Sequence, residues 1–351
     1  MKKTLIAFGA ALVCMGAAQA QSTVQMSGLV DMYVGSMKAP GGARTSQMGS
    51  GGLTTSWWGM NGTEDLGNGL KVGFALGAFF RADTGEPGRW NLGGNYGENF
   101  FARDANVSLS GGFGSVKLGR SMAPNFLPTI LFNPYGDSFT VSPLVVHANM
   151  GWGAGQNHFL KTTAADTGWS NQITYSTPKF GGLSANVHYQ FGEVAGQNSK
   201  KNVGANVLFF QGPLALTAFI ERAQINNPTT WATGNTKQNW MLGASYDFTV
   251  AKLYATHGQS KLKNNNSYEA KTTSLGLDVP VTKAGTFKAA AAYTKVDVNA
   301  PQDVKRTTYT LGYDHFLSKR TDVYSAVMYD KIKQANSESG TSVAVGIRHR
   351  F

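Results

Sequence analysis

Cysteine is almost absent from this 351-residue sequence, and its single copy, Cys14, falls in an amino-terminal stretch that reads as removable. Lys2 and Lys3 give that stretch a basic start, 5–15 is apolar, and Ala18-Gln19-Ala20 is a small-x-small cleavage site, the pattern of an export signal over 1–20. Lipoprotein processing just before Cys14 is the competing reading, disfavoured by Met15 and by the good site at Ala20. The remaining chain, 21–351, then has no thiol, which excludes a disulfide framework and a thiolate metal site. Also missing is any run of 18 apolar residues, so no ordinary transmembrane helix is expected. No long stretch repeats at 3.6, and no linker rich in proline or serine divides the chain, so one large β structure fits better than two domains. The histidines (His147, His158, His188, His257, His315 and His349) are scattered without zinc spacing. No loop has the regular acidic spacing of a calcium site, and no nucleophile stands beside a base. No enzyme activity and no cofactor are expected.

Glycine is what the sequence has in plenty, 43 residues of it, with aromatics spread among them. Segment 341–351 alternates cleanly: Val343, Val345, Ile347, His349 and Phe351 share one parity, Ser342, Ala344, Gly346, Arg348 and Arg350 the other. Such a strand suits either the edge of a soluble sandwich or the closing strand of a membrane barrel, where it must pair with the first. Segment 71–81 is more telling. Val72, Phe74, Leu76 and Ala78 form a bulky apolar side, while Lys71, Gly73, Ala75, Gly77 and Arg81 form a small or basic one with Phe79 as the exception. A soluble core strand would carry varied polar groups on its second face; a glycine and alanine face with basic ends is closer to the wall of a passage.

Strands of this kind are predicted at 24–36, 53–62, 71–81, 100–110, 115–121, 169–177, 183–191, 200–210, 214–222, 238–246, 250–257, 268–279, 286–296, 306–313, 321–330 and 341–351, sixteen in all. Short turns at 64–69, 111–114, 178–182, 211–213, 247–249, 280–285 and 314–320 alternate with longer polar loops. That is the asymmetry of an outer-membrane barrel. A propeller would also show many short strands, but no blade signature recurs. Aromatics near strand ends (Trp58, Phe100, Tyr189, Phe191, Tyr246, Tyr254, Tyr324 and others) suit interface girdles or simple strand propensity. The third long connection, 122–167, holds Pro124, Pro128, Pro134 and Pro143 and shows no sustained alternation, as a functional loop would.

Charge leaves two readings. The +11 of the full sequence, less the two signal lysines, gives +9. An excess of that size suits anionic surfaces or nucleic acid as well as a passage for small anions.

Several segments resemble the general porins of Gram-negative outer membranes, those of beta-proteobacteria in particular. They are Gly28-Leu-Val-Asp31, Trp58-Gly-Met-Asn-Gly-Thr-Glu-Asp-Leu-Gly67, Arg103-Asp-Ala-Asn-Val-Ser-Leu-Ser110, Phe113-Gly-Ser-Val-Lys-Leu-Gly-Arg120 and Gly346-Ile-Arg-His-Arg-Phe351. The resemblance implies an all-β, 16-stranded antiparallel transmembrane β-barrel in the bacterial outer membrane, a homotrimer in contact with lipid and lipopolysaccharide. It implies passive diffusion of small hydrophilic solutes, with no nucleic-acid partner. It further implies that the third loop, about 122–167, folds into the lumen and narrows it, with Asp137 in Asn133-Pro-Tyr-Gly-Asp-Ser-Phe139 as its principal acid. Relatives face that loop with a ladder of arginines. Here Arg120 and Arg103 match basic positions of that wall, and Arg81 and Lys71 carry the inward parity of their strand. Where relatives read Ser-Arg-Trp-Gly, this sequence reads Ser56-Trp57-Trp58-Gly59, so Trp57 replaces a wall arginine. Arg120 shares the phase of Val116 and Leu118, so either the phase shifts near the loop or the analogy fails there. The expected preference is for small anions, selected by width and a basic wall. A channel preferring organic or aromatic carboxylates, stacked on Trp57, is the alternative.

Overall fold

A strand whose exposed side is apolar and whose covered side is polar has its usual solvent relations reversed, and strand after strand of this chain shows that reversal. The computed structural model describes residues 23–89, 98–149, 167–193, 195–196, 200–225, 232–263, 268–298 and 303–351. The expected signal 1–20 and the second part of the expected loop, 150–166, lie outside these residues. Seventeen strand segments are described: β1 (Thr23–Met37), β2 (Thr45–Ser50), β3 (Trp57–Gly67), β4 (Leu70–Phe79), β5 (Asp104–Gly111), β6 (Gly114–Met122), β7 (Gly168–Ser176), β8 (Leu183–Phe191) and β9 (Lys201–Gln211) come first. They continue as β10 (Leu214–Ile225), β11 (Ala232–Asp247), β12 (Lys252–Lys263), β13 (Tyr268–Pro280), β14 (Gly285–Val298), β15 (Val304–Phe316), β16 (Thr321–Lys333) and β17 (Ser337–Arg350). All pair antiparallel in sequence order within one sheet. β2 and β3 both pair with β1, at Met32–Met37 and Thr23–Leu29 respectively, and so occupy one barrel position between them. The result is a sixteen-stranded antiparallel barrel.

Closure is direct. β1 pairs with β17 from Leu29↔Arg350 to Ser36↔Val343, and Gly28 and Phe351 exchange both backbone N–H···O bonds at 3.1 Å. No open edge remains at that seam, which is the condition for a sheet to lie in hydrocarbon. Outward, Leu242, Leu275, Leu311 and Val345 are each more than half exposed. Inward, Asp31, Thr294, Thr308 and Asp322 are fully covered. Phe74 projects outward, on the apolar side assigned to it.

Most sequence-based strands agree with these to within a few residues; β11 begins at Ala232 rather than at 238 and β12 runs to Lys263 rather than to 257, and two further differences have physical causes. The second predicted strand begins at Trp57 rather than at 53, and β2 falls within the predicted connection before it. Gly51 takes φ +78°, a conformation open to glycine, and residues 51–56 leave the wall before β3 begins. The fourth begins at Asp104 rather than at 100, because 98–103 form turns around Arg89 and Glu98. Among the aromatics read as rim residues, Trp58 and Phe100 do meet edge to face at 6.4 Å. Tyr254 and Tyr324 instead face the interior, where their hydroxyls donate to Asp278 and Asp31.

The seam provides a test. A Cβ on Gly28 would meet the Phe351 ring and lie 2.7 Å from the Trp57 carbonyl oxygen. Gly28→Val is therefore expected to destabilise the folded barrel by about 1–3 kcal/mol. The readout is the temperature at which the compact, fast-migrating form is lost on unheated gels.

Candidate functional site

Inward-facing residues of the wall make contacts well beyond their own strands. Two short helices, α1 (Phe126–Leu131) and α2 (Pro143–Asn149), follow β6. Pro128 is tolerated because it sits in the first turn of α1, where the amide it lacks has no helical partner. Segment 124–149 is stitched to inward-facing residues of distant strands. Asn206 donates to the Pro124 carbonyl at 2.8 Å and Asn125 to Glu221 at 3.0 Å. Tyr135 donates to the Lys288 carbonyl at 2.9 Å, Lys288 to the Pro134 carbonyl at 3.1 Å, and Thr310 to the Val141 carbonyl at 2.8 Å. His147 is fully buried between Thr294 and Thr308, at 2.7 Å from each hydroxyl. The Thr308 hydroxyl donates to Asp330, so it accepts from Nε2–H of His147, and Nδ1 accepts from Thr294. Burial, with the Arg306 guanidinium nearby, keeps that imidazole neutral.

The excursion at 51–56 is a strap over Asp31. The carboxylate accepts from the backbone N–H groups of Gly52 (3.2 Å), Leu53 (2.8 Å) and Thr54 (2.7 Å), and from the Tyr324 hydroxyl. Ser56 accepts from the Asp31 amide at 3.0 Å. Ser138 and Thr140 then donate to the carbonyls of Gly52 and Gly51, at 2.7 and 2.9 Å. The strap thus couples the wall at β1 to the tip of the segment after β6. Sequence reading missed it; the signal available was the Gly51-Gly52 pair followed by Thr54-Thr55-Ser56, small hydroxyl residues able to turn a strand inward.

The residues singled out from sequence occupy different settings. Trp57, Arg103 and Asp137 come together: with Phe79, Asp104 and Phe139 they line one cavity of about 210 Å³. The Arg103 guanidinium lies over the Trp57 ring at 3.7 Å and pairs with Asp104, so one face of the indole is already taken. Asp137 is half-buried, and desolvation pushes its carboxyl up to about 6 against a hydrogen bond from Thr54. Arg81 pairs with Glu86 in its own loop. Lys71 is exposed at the short-turn end, 3.9 Å from Asp65. Arg120 is buried, donating to the carbonyls of Ala102 and Gly168 and to Ser170. The phase question at Arg120 is thereby answered: Gly119 has φ +116° and the β6–β7 register shifts between Gly119 and Ser121, which turns Arg120 inward.

Several inward carboxylates of the wall are matched by cations. Asp278 lies 3.3 Å from Lys288, Asp330 lies 2.6 Å from Arg306, and Asp322 lies 3.0 Å from Arg348 and 2.7 Å from Arg350. A closed barrel with a hydrogen-bonded polar interior, an apolar outside and charged groups along its inward face is the architecture of a solute channel. Residues 7–335 match the family described as Gram-negative porin. The chain belongs to that family. This porin is 35% identical to outer membrane porin protein 32 of Delftia acidovorans over the whole of both chains. It is 26% identical to an outer membrane porin protein of Bordetella pertussis, again over both full lengths. Among solved structures it resembles an anion-selective porin from Comamonas acidovorans, with TM-score 0.76 and 31% identity over 94% of this chain and 100% of the other. The porin is an integral outer-membrane barrel and a passive diffusion channel.

Asp31→Ala would leave the three strap amides without their acceptor. At about 1 kcal/mol or more for each buried group, the expected loss is roughly 3 kcal/mol or above, about 5–10 °C in unfolding temperature. Limited proteolysis should then cut within 51–56 in the variant and not in the parent.

Proposed function

We propose that this porin prefers small anions, that segment 122–167 lies within the barrel and narrows the passage, and that Asp137 is the acid that a solute meets there. The pairing of the inward carboxylates is the observation that carries the charge preference. With Asp104, Asp278, Asp322 and Asp330 each beside a cation, these acids present little negative field to an anion inside. The name of the Comamonas acidovorans relative points the same way. Stitching of 124–149 to β9, β10, β14 and β15 supports the narrowing. Residues 1–20 act as a cleaved export signal, leaving 21–351 as the barrel.

The porin further assembles as a homotrimer among outer-membrane lipid and lipopolysaccharide. β4 to β8 are 8–10 residues long, against 12–16 for β10 to β17. The wall is therefore low on that side, and Val107, Leu118, Ile173 and Val187 stand exposed along it, a surface that a second copy covers. Cross-linking in native membranes should trap three subunits; monomers alone would refute the assembly.

Reversal potential across a planar bilayer under a potassium chloride gradient tests the charge preference. Chloride is expected to carry more current than potassium, and a potential of the potassium sign would overturn the reading. The pH dependence follows from Asp137. Its raised carboxyl loses its charge as the pH falls through about 6, which removes a negative group from the narrow zone. Chloride preference should rise across that interval, and Asp137→Asn should show the higher preference at every pH with the step abolished.

A further inference from the structure

The arginines that suggest a basic wall are engaged in holding the barrel together. Arg120 is buried among carbonyls, Arg103 is committed to Asp104 and Trp57, Arg306 to Asp330, and Arg348 and Arg350 to Asp322. Of the inward lysines, Lys288 is paired with Asp278, Lys71 lies near Asp65 at the rim, Lys252 lies over the Tyr254 ring at 4.9 Å beside the 248–251 turn, and Lys237 lies at the long-loop end of β11, opposite Ala223 and Leu262 and engaged there. Lys117 differs. It is opposite Ser108 on β5 and Thr174 on β7, and Thr174 in turn is opposite His188 on β8. Its inward neighbours along β6 are Ser115 and Gly119. The surface around it is neutral, with Asn106, Ser108, Thr174 and Ser176 on the same face. No ion pair is formed by Lys117 among the described residues, and the residue is half-buried.

We propose that Lys117 is the residue that sets the anion preference of this porin; the inference rests on the reading that the channel prefers anions. Three residues above the start of β6, it stands about 10 Å from the short-turn rim, below the segment that begins at 123. An ammonium without a carboxylate partner on a low-dielectric wall concentrates small anions in front of it, and its field is not cancelled locally as those of the paired arginines are. A lysine suits this task because its point charge is strongly hydrated and binds no passing anion in a fixed fork.

At about 6 Å in water-like surroundings a unit charge changes the local anion concentration about threefold. Lys117→Gln is therefore expected to lower the chloride-to-potassium permeability ratio about threefold, and Lys117→Glu about tenfold. Lys252→Gln should leave the ratio near that of the parent. Because the proposed mature chain has no cysteine, Lys117→Cys also allows the charge to be changed after folding, in a channel already recording. A cationic aminoethyl thiosulfonate added to that channel should restore the ratio, and an anionic sulfonatoethyl reagent should lower it further. An anion-preferring parent whose ratio is unmoved by Lys117→Gln and by both reagents would overturn the role of Lys117. A parent with no anion preference would overturn the reading beneath it, and the role with it.

Discussion

Hydrocarbon offers no partner to a backbone amide, and the whole arrangement of this porin follows from that. Each strand must be paired on both sides, so the first must meet the last, as Gly28 and Phe351 do. Pairing on both sides fixes the period of two, and the period of two puts every second side chain inside. What is inside must therefore satisfy itself or face water. The result is the chain of hydroxyls, carboxylates and guanidinia that runs through Thr272, Thr294, His147, Thr308, Asp330 and Arg306. Such a network is stabilising only when each member has its partner, and here donors and acceptors alternate through it.

Two departures from the ladder matter more than its regular parts. Both occur at glycines with positive φ, Gly51 and Gly119, where a side chain would be strained. At Gly51 the wall releases the strap that caps Asp31 and supports Ser138 and Thr140. At Gly119 the wall turns Arg120 inward just before the chain leaves for α1. The segment after β6 is thus held at one end by a bulge and at its tip by a strap. Each device requires a local opening in the wall ladder.

Much of the fold was legible in the letters. The apolar parity of Val343, Val345 and Ile347 or of Val72, Phe74 and Leu76 depends only on residues two apart, and turn glycines mark where each strand stops. What was not legible depends on contacts between residues far apart in sequence. Asp31 and Tyr324 are 293 residues apart, and His147 and Thr308 are 161 apart; no local pattern announces either pair. The same holds for Tyr254 and Tyr324, whose rings suit a membrane rim until their carboxylate partners are known. For the site, Trp57, Arg103 and Asp137 were found together because a resemblance placed them. The engagement of Arg120 with carbonyls depends on the register shift beside it, which sequence left open as a question of phase.

Counting positive residues therefore says little about the field inside such a barrel. Arginine is the better structural cation, since its planar fork matches two carboxylate oxygens at once, as Arg306 does with Asp330. The more acids a polar interior contains, the more arginines are drawn into holding them, and each such pair presents little net charge to a solute. Lysine, with a flexible stem and a compact head, is more readily left unpaired against neutral neighbours. In a wall built this way, the cations most conspicuous in the sequence serve the fold. The charge that a solute meets comes from the residue that the fold does not need, and on the inward face of β6 that residue is Lys117.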